Sequence, residues 1–386
     1  MSDPGKSRER RAAPRPKTRA RPANEQGAAR HFAQSYAEAR DKFFTAARSR
    51  GLGVETNVHP LPGRDGEMLA MDVARDGPLA AQSLLIVSSG CHGVEGFCGS
   101  GVQVALLGDT AWHDAAEAAG VAVLYIHGLN PYGFSWWRRT THENVDLNRN
   151  FRDFAAAAPA NAHYDELAGH IVPERWPPDA RTTAALDSFV AAHGERALQQ
   201  VVSGGQYAHP NGLFYGGSEP TWSHATLRQV LHRHGTRCAR LGWIDLHTGL
   251  GPSGHGERIF AGRDDPETYA RAKAWWGDVT SIYDGSSTSA VLTGLMWGSA
   301  YEECAQAQFT GIALEYGTKP QPEVMLALRA DQWLENHPET DDETRRAIKQ
   351  QLRDAFYVDT DAWKEKIVAQ GVDAAYGALR GLGAPA

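Results

Sequence analysis

No stretch of the 386 residues carries eighteen consecutive apolar side chains, so no segment reads as a helix that crosses a bilayer. Cysteine is scarce. Cys91, Cys98, Cys238 and Cys304 form no Cys-x-x-Cys pair, which argues against a disulfide framework and a cysteine-built zinc site. The same scarcity fits a reducing compartment, and a cytoplasmic location is expected. A basic face is also missing. The net charge is −7, and residues 1 to 30 hold nine Lys/Arg against three Asp/Glu, so removing that +6 leaves −13 on the rest. An acidic body lacks the footprint that nucleic acid demands, and neither nucleic acid nor a membrane is an expected partner. The basic head, with Pro14, Pro16 and Pro22 among its arginines, has no apolar core of the kind a signal peptide needs. Residues 1 to 28 read as a disordered basic tail, and residues 29 to 386 as one folded domain. No internal repeat is present.

What the chain does have is polar residues where apolar runs stop. Leu84-Leu85-Ile86-Val87 reads as a buried strand and runs into Ser88-Ser89-Gly90-Cys91-His92-Gly93-Val94-Glu95-Gly96. An imidazole and a carboxylate three residues apart can turn to one point and offer a nitrogen and an oxygen to a metal. Trp243-Ile244-Asp245-Leu246-His247 is a second such strand, and alternation puts Asp245 and His247 on one side. Ile312-Ala313-Leu314-Glu315 is a third, closed by an acid that is costly to bury without a partner.

The remaining elements follow from period and punctuation. His31 to Gly51 has helical spacing, and Glu55 to Val73 reads as a hairpin turning at Pro60 to Gly66. Val121 to Ile126 is a strand far enough from Leu84 for a helical crossover, so the two can be parallel. Residues 155 to 201 suggest two helices, the second over 179 to 193 with Ala184, Leu186, Phe189 and Val190 inward. Val201-Val202-Ser203 reads as a short strand before a glycine-bounded loop whose Tyr and His residues are candidates to line a pocket. After Glu323 the chain is mostly helical, with Trp333, Phe356, Tyr357 and Trp363 as core anchors. The fold expected is α/β, three layers, with a mixed, largely parallel sheet between helices and its site at the strands' carboxyl ends.

Taken together, His92/Glu95, Arg138/Arg139, Asn148/Arg149, His247 and Glu315 resemble, in type and order, the zinc carboxypeptidases. In particular the Gly-x-His-Gly-Val-Glu-Gly run resembles an uncharacterised bacterial branch of that family. The resemblance, covering about residues 80 to 320, implies a single zinc ion held by His92, Glu95 and His247, the last 152 positions beyond Glu95 (247 − 95). It implies that Asn148 and Arg149, in Asp146-Leu147-Asn148-Arg149-Asn150-Phe151, grip a substrate carboxylate, and that Asp146 orients a ligand histidine. Arg138 takes the position of the arginine that holds the oxyanion, with Arg139 the less favoured choice, and Glu315 that of the general base acting on zinc-bound water. The expected substrate is a small peptide, cleaved as by a metallocarboxypeptidase. Deacylation of N-acyl amino acids and a catalytically silent binding protein are the alternatives. Tyr269, Tyr283 and Tyr301 are all candidates for a tyrosine that closes over the substrate, and none is assigned. Cys91 is expected to be a small buried residue, and His127, His142, His209 and His255 to be loop residues with hydrogen bonds. Oligomeric state is not readable.

Overall fold

The computed structural model describes residues 27–383; the expected tail over residues 1 to 28 lies almost wholly outside the described residues. The chain enters through α1 (Tyr36–Ser49), then runs the hairpin β1 (Val54–Pro62) and β2 (Met68–Asp76) into β3 (Ser83–Ser89). Helices α2 (Gly96–Leu107) and α3 (Thr110–Ala118) cross over to β4 (Val121–His127). Four helices follow, α4 (Pro131–Trp136), α5 (Ala162–Ile171), α6 (Ala180–His193) and α7 (Glu195–Ser203), and then α8 (Trp222–Gly235) leads to β5 (Arg240–Gly249). Next come β6 (Gly256–Phe260), α9 (Pro266–Trp276), β7 (Thr280–Ser281), α10 (Gly298–Glu303) and β8 (Gln308–Gly317). The chain closes with α11 (Gln321–Asn336), α12 (Asp342–Phe356) and α13 (Asp361–Gly383).

The eight strands form one sheet in the order β1-β2-β4-β3-β5-β8-β6-β7. Its centre is parallel: β4–β3, β3–β5 and β5–β8 all pair that way, as do β6 and β7, while β1–β2, β2–β4 and β6–β8 are antiparallel. Strands buried on both faces read as near-continuous apolar runs, and β3 and β4 are buried throughout. Leu85, Val87, Ile244 and Leu246 face one core with α1, α2 and α13, whereas Leu84, Ile86 and Trp243 face another with α8. Helices therefore cover both faces, as expected.

Local departures have physical causes. Helix α1 begins only at Tyr36, because Ser35 caps it by accepting the Glu38 N–H at 3.1 Å. Residues 201–203 are not a strand but the last turn of α7, where Leu198 and Val202 share one helical face. A pair of valines satisfies either period, and here the helical one wins. Three helices rather than two occupy residues 162 to 203, and in α6 only Thr182 is fully buried, with Ala184 exposed.

Candidate metal centre

Each expected ligand leaves the carboxyl end of a central strand. After β3 the chain turns at Gly90 (φ +70°) and coils into a short 3₁₀ turn over Gly93–Glu95. A Cβ at Gly93 would fall 2.0 Å from the Gly133 carbonyl carbon, so only glycine permits this approach to α4. The turn is pinned by Gly93 N–H to Arg139 O (3.2 Å) and Val94 N–H to Arg138 O (2.9 Å). On the neighbouring strands, His247 and Glu315 are partners in register. They therefore share a face of the sheet.

His92, Glu95 and His247 converge. Glu95 Oε1 lies 3.0 Å from His92 Nδ1, Glu95 Oε2 lies 3.0 Å from His247 Nδ1, and the two Nδ1 atoms are 3.3 Å apart. Donor atoms about 2.1 Å from one ion at tetrahedral angles are about 3.4 Å from each other, so this spacing suits a single small divalent cation. The far nitrogens complete the pattern. His247 Nε2 meets Asp245 Oδ2, and His92 Nε2 lies 3.3 Å from Asp146 Oδ1. A proton on His247 Nε2, donated to Asp245, leaves its Nδ1 lone pair facing the shared point, while His92 Nε2 is contacted by both Asp146 and the Arg139 guanidinium. Asp245 is itself held: its Oδ1 accepts the Ser88 hydroxyl at 2.5 Å, and Ser88 Oγ accepts the Trp243 indole N–H at 2.7 Å.

Charge balance fits the same picture. Burial alone would raise Glu95, but the His92 and His247 imidazoles hold it well below the usual carboxylate range. Burial likewise opposes ionisation of Asp146, and Arg139, Arg149 and His92 overcome it. Burial lowers His247, yet Asp245 and Glu95 carry its affinity for a proton well above the ordinary imidazole value. Glu315 goes the other way. Burial, reinforced by the negative charge of Glu95, pushes it up to about 7, and the Leu250 N–H anchors its Oε1 at 2.9 Å. A second grouping, Cys91 with Asp245 and His247, also lies close enough to be a metal set. It is the poorer one, because both oxygens of Asp245 are committed and burial keeps the Cys91 thiol protonated.

These groups line one cavity of about 110 Å³ together with Arg139, Asn148 and Arg149. Arg149 is 2% exposed, and its guanidinium donates from Nε to Ser203 O (3.1 Å) and from Nη1 to Asn148 O (3.0 Å). Its nearest carboxylate oxygen, on Asp146, is 3.9 Å away. Gly294 (φ +74°) presses on its main chain so closely that a Cβ there would sit 2.2 Å from Arg149 O. Asn148 Oδ1 accepts Met296 N–H at 3.2 Å.

Arg138 is not among the residues brought together. Its side chain is buried away from the cavity, 3.3 Å from Glu335 and 3.8 Å from Asp331 on α11, with Asn144 Oδ1 at 2.9 Å. Arg139 takes the place beside the ligands: Nη1 donates to Glu95 Oε1 at 3.2 Å and Nε to Asp146 Oδ2 at 2.9 Å, and Nη2 lies 2.8 Å from His92 Nε2. Trp137 in the left-handed region (φ +53°) starts this turn, and the hydrogen bonds to Gly93 and Val94 then fix which neighbour faces inward. None of the candidate tyrosines lines the cavity; Tyr269, Tyr283 and Tyr301 bond to Val279 O, Gly262 O and Arg263 N–H instead. His127, His142 and His209 meet Ser100, Glu143 and Asp165, outside the cavity.

Sequence reasoning missed Phe214 and most of the apolar wall. Phe214 adopts φ +54° and sets its ring 5.0 Å from the Arg139 guanidinium and 5.5 Å from that of Arg149. The glycine-bounded loop was a signal for a lining residue, but its Tyr207 and His209 are not the ones that line the cavity. Leu292, Leu295, Trp297, Met325 and Leu328 supply apolar lining to the same cavity.

A model of the family described as "Protein of unknown function (DUF2817)" matches residues 32–370. The chain belongs to this family. Among solved structures, the DUF2817 chain is similar to carboxypeptidase A from Helicoverpa armigera, with 13% identity, a TM-score of 0.50, and coverage of 91% of this chain and 73% of that one. Bovine thrombin-activatable fibrinolysis inhibitor, in complex with tick carboxypeptidase inhibitor, matches at 12% identity and a TM-score of 0.45, over 89% of this chain and 98% of its own. At such identities the likeness is one of fold, an α/β fold like that of carboxypeptidase A. No curated protein matches the chain. None of the helices in the described residues is long and apolar enough to cross a membrane.

Proposed function

We propose that this chain is a zinc-dependent metallocarboxypeptidase, hydrolysing the amide bond that joins a residue with a free carboxylate to the rest of a small peptide. One observation carries the reading: two Nδ1 atoms and a carboxylate gather within 3.0 to 3.3 Å of one another, in the cavity that also holds Glu315 and Arg149. His92, Glu95 and His247 hold the ion. Zinc, when bound, supplies Lewis acidity toward the amide carbonyl and makes water a competent nucleophile near neutral pH.

The remaining work belongs to the chain's own groups. Glu315 keeps one oxygen on the Leu250 N–H, accepts a proton from the attacking water on the other, and passes it to the departing amine. Burial raises the proton affinity of Glu315, the direction that taking up the water's proton requires. Arg149, with the Asn148 amide beside it, receives the free carboxylate through paired N–H donors. Arg139, rather than Arg138, meets the charge that develops on the carbonyl oxygen, because it is the guanidinium beside the ligands.

The test is a zinc determination on purified protein together with assays of N-blocked dipeptides and of N-acyl amino acids. About one zinc per chain and hydrolysis of blocked dipeptides are expected, with turnover falling about 10²- to 10⁴-fold in Glu315→Gln. Hydrolysis of simple N-acyl amino acids alone would make the protein a deacylase. Undiminished turnover in Glu315→Gln would overturn the mechanism.

A further inference from the structure

Beside the catalytic cavity runs a larger groove, about 490 Å³, between α6, α7 and α11. Its surface is largely apolar. Ile171 and Val202 form a buried floor, Leu186, Val190 and Leu198 are half-buried walls, and Leu326, 39% exposed, forms a lip. The groove and the cavity share a wall: Gln199, Gln321 and Met325 line both. Gln199 is tied by its side-chain N–H to Thr288 O at 2.8 Å, while Met325, unbranched and flexible, is the part of the partition best able to yield.

Size and charge decide what this space suits. A cavity of about 110 Å³ is smaller than the roughly 300–1,000 Å³ usual for small-molecule sites, so it accommodates little more than the carboxylate-bearing half of a substrate. The acyl half has to continue elsewhere. The charged groups that line it sum to a negative value: Arg329, the basic residue there, keeps its charge but turns Nε to Ile171 O (2.7 Å) and Nη2 to His170 O (2.9 Å), at the end of α5. Asp187 and Glu195 add negative charge.

We infer that this groove is an acyl-side subsite for an uncharged apolar chain, so that the preferred substrates carry a long aliphatic or aromatic group on the side of the scissile amide opposite the free carboxylate. The inference rests on the amide-hydrolase reading and deepens it. A short or anionic acyl group, such as a dicarboxylic one, gains nothing from the groove and is repelled by its acids. Each methylene that enters should improve kcat/KM by up to about fourfold, the value of moving a CH₂ out of water.

The experiment uses the dipeptide Ala-Leu N-acylated with acetyl, hexanoyl, decanoyl and succinyl groups, on the zinc-loaded full chain. Efficiency should rise from acetyl to decanoyl and be lowest for succinyl. Leu326→Asp and Val190→Asp, which line the groove but not the cavity, should flatten the rise and leave the acetyl compound unaffected. A rate independent of chain length in the wild type, or an undiminished rise in both variants, would overturn the inference. Calorimetric binding of the same series to Glu315→Gln gives a readout free of turnover: affinity should climb with chain length and lose that climb when Leu326→Asp is added. Chain-dependent binding without any wild-type hydrolysis would sink the amide-hydrolase reading and keep the groove, and binding indifferent to chain length would sink the groove itself.

Discussion

The cavity has two halves built by different means. One is made of strand ends: His92 and Glu95 follow β3, His247 closes β5, and Glu315 sits beside it on β8. The other is made of loops and helices, with Arg139, Asn148, Arg149 and Phe214 on irregular chain and Met325 and Leu328 on α11. In the first half the direction of each side chain follows from the sheet, whose two-residue period and register leave little choice. In the second it follows from a handful of backbone hydrogen bonds and left-handed turns. Neighbours such as Arg138 and Arg139 consequently part company, one into a buried ion cluster with Asp331, Glu335 and Lys349, the other into the site.

That divergence gives the largest expected effect. Arg138→Ala leaves Asp331 and Glu335 facing only Lys349 and should cost about 3 kcal/mol of stability, while the protein that still folds keeps its KM. Arg139→Ala should do the reverse, lowering kcat/KM by at least about tenfold with a smaller change in stability. Paired urea melts and steady-state kinetics separate them, and equal effects on both quantities would erase the distinction between the halves.

Within the strand half, Asp245→Asn keeps the shape but weakens the acceptor that orients His247. Zinc affinity should fall about 10- to 100-fold by competition with a chelator, and an unchanged affinity would mean that the sheet alone holds the ring.

A smaller effect concerns Glu315 in metal-free protein. Its folded pKa of about 7 lies above the ordinary 4.5, so the folded state binds this proton more tightly than the unfolded one. The stability this confers is complete below about pH 4.5 and is lost as pH rises through about 7. Glu315→Gln, which cannot ionise, should therefore be more stable than the wild type at pH 8, on the order of 3 kcal/mol, with the gap closing by pH 4.5. Thermal melts across that range measure it, and a gap that widens on acidification would show the opposite sign.

The same division explains what was legible beforehand. Apolar runs ended by polar residues mark β3, β5 and β8, and alternation alone puts Asp245 and His247 on one side. The wall was opaque because its residues carry no period. Nothing in Trp137-Arg138-Arg139 tells which arginine turns inward, since the answer lies in hydrogen bonds to Gly93 and Val94, some 45 residues upstream. Phe214 is hidden for a related reason: its left-handed backbone is imposed by tertiary contacts and not by its own preference. Val201-Val202 illustrates the limit of short apolar pairs, which suit a strand and a helix face equally until the neighbours Leu198 and Gln199 are counted.

Zinc-edge X-ray absorption on the metal-loaded wild type and on His247→Ala tests the central claim most directly. Two imidazole nitrogens and a carboxylate at about 2.0–2.2 Å in the wild type, with one nitrogen lost in the variant, is the predicted result. A wild-type spectrum with a sulfur ligand at about 2.3 Å, or one that His247→Ala leaves unchanged, would contradict it.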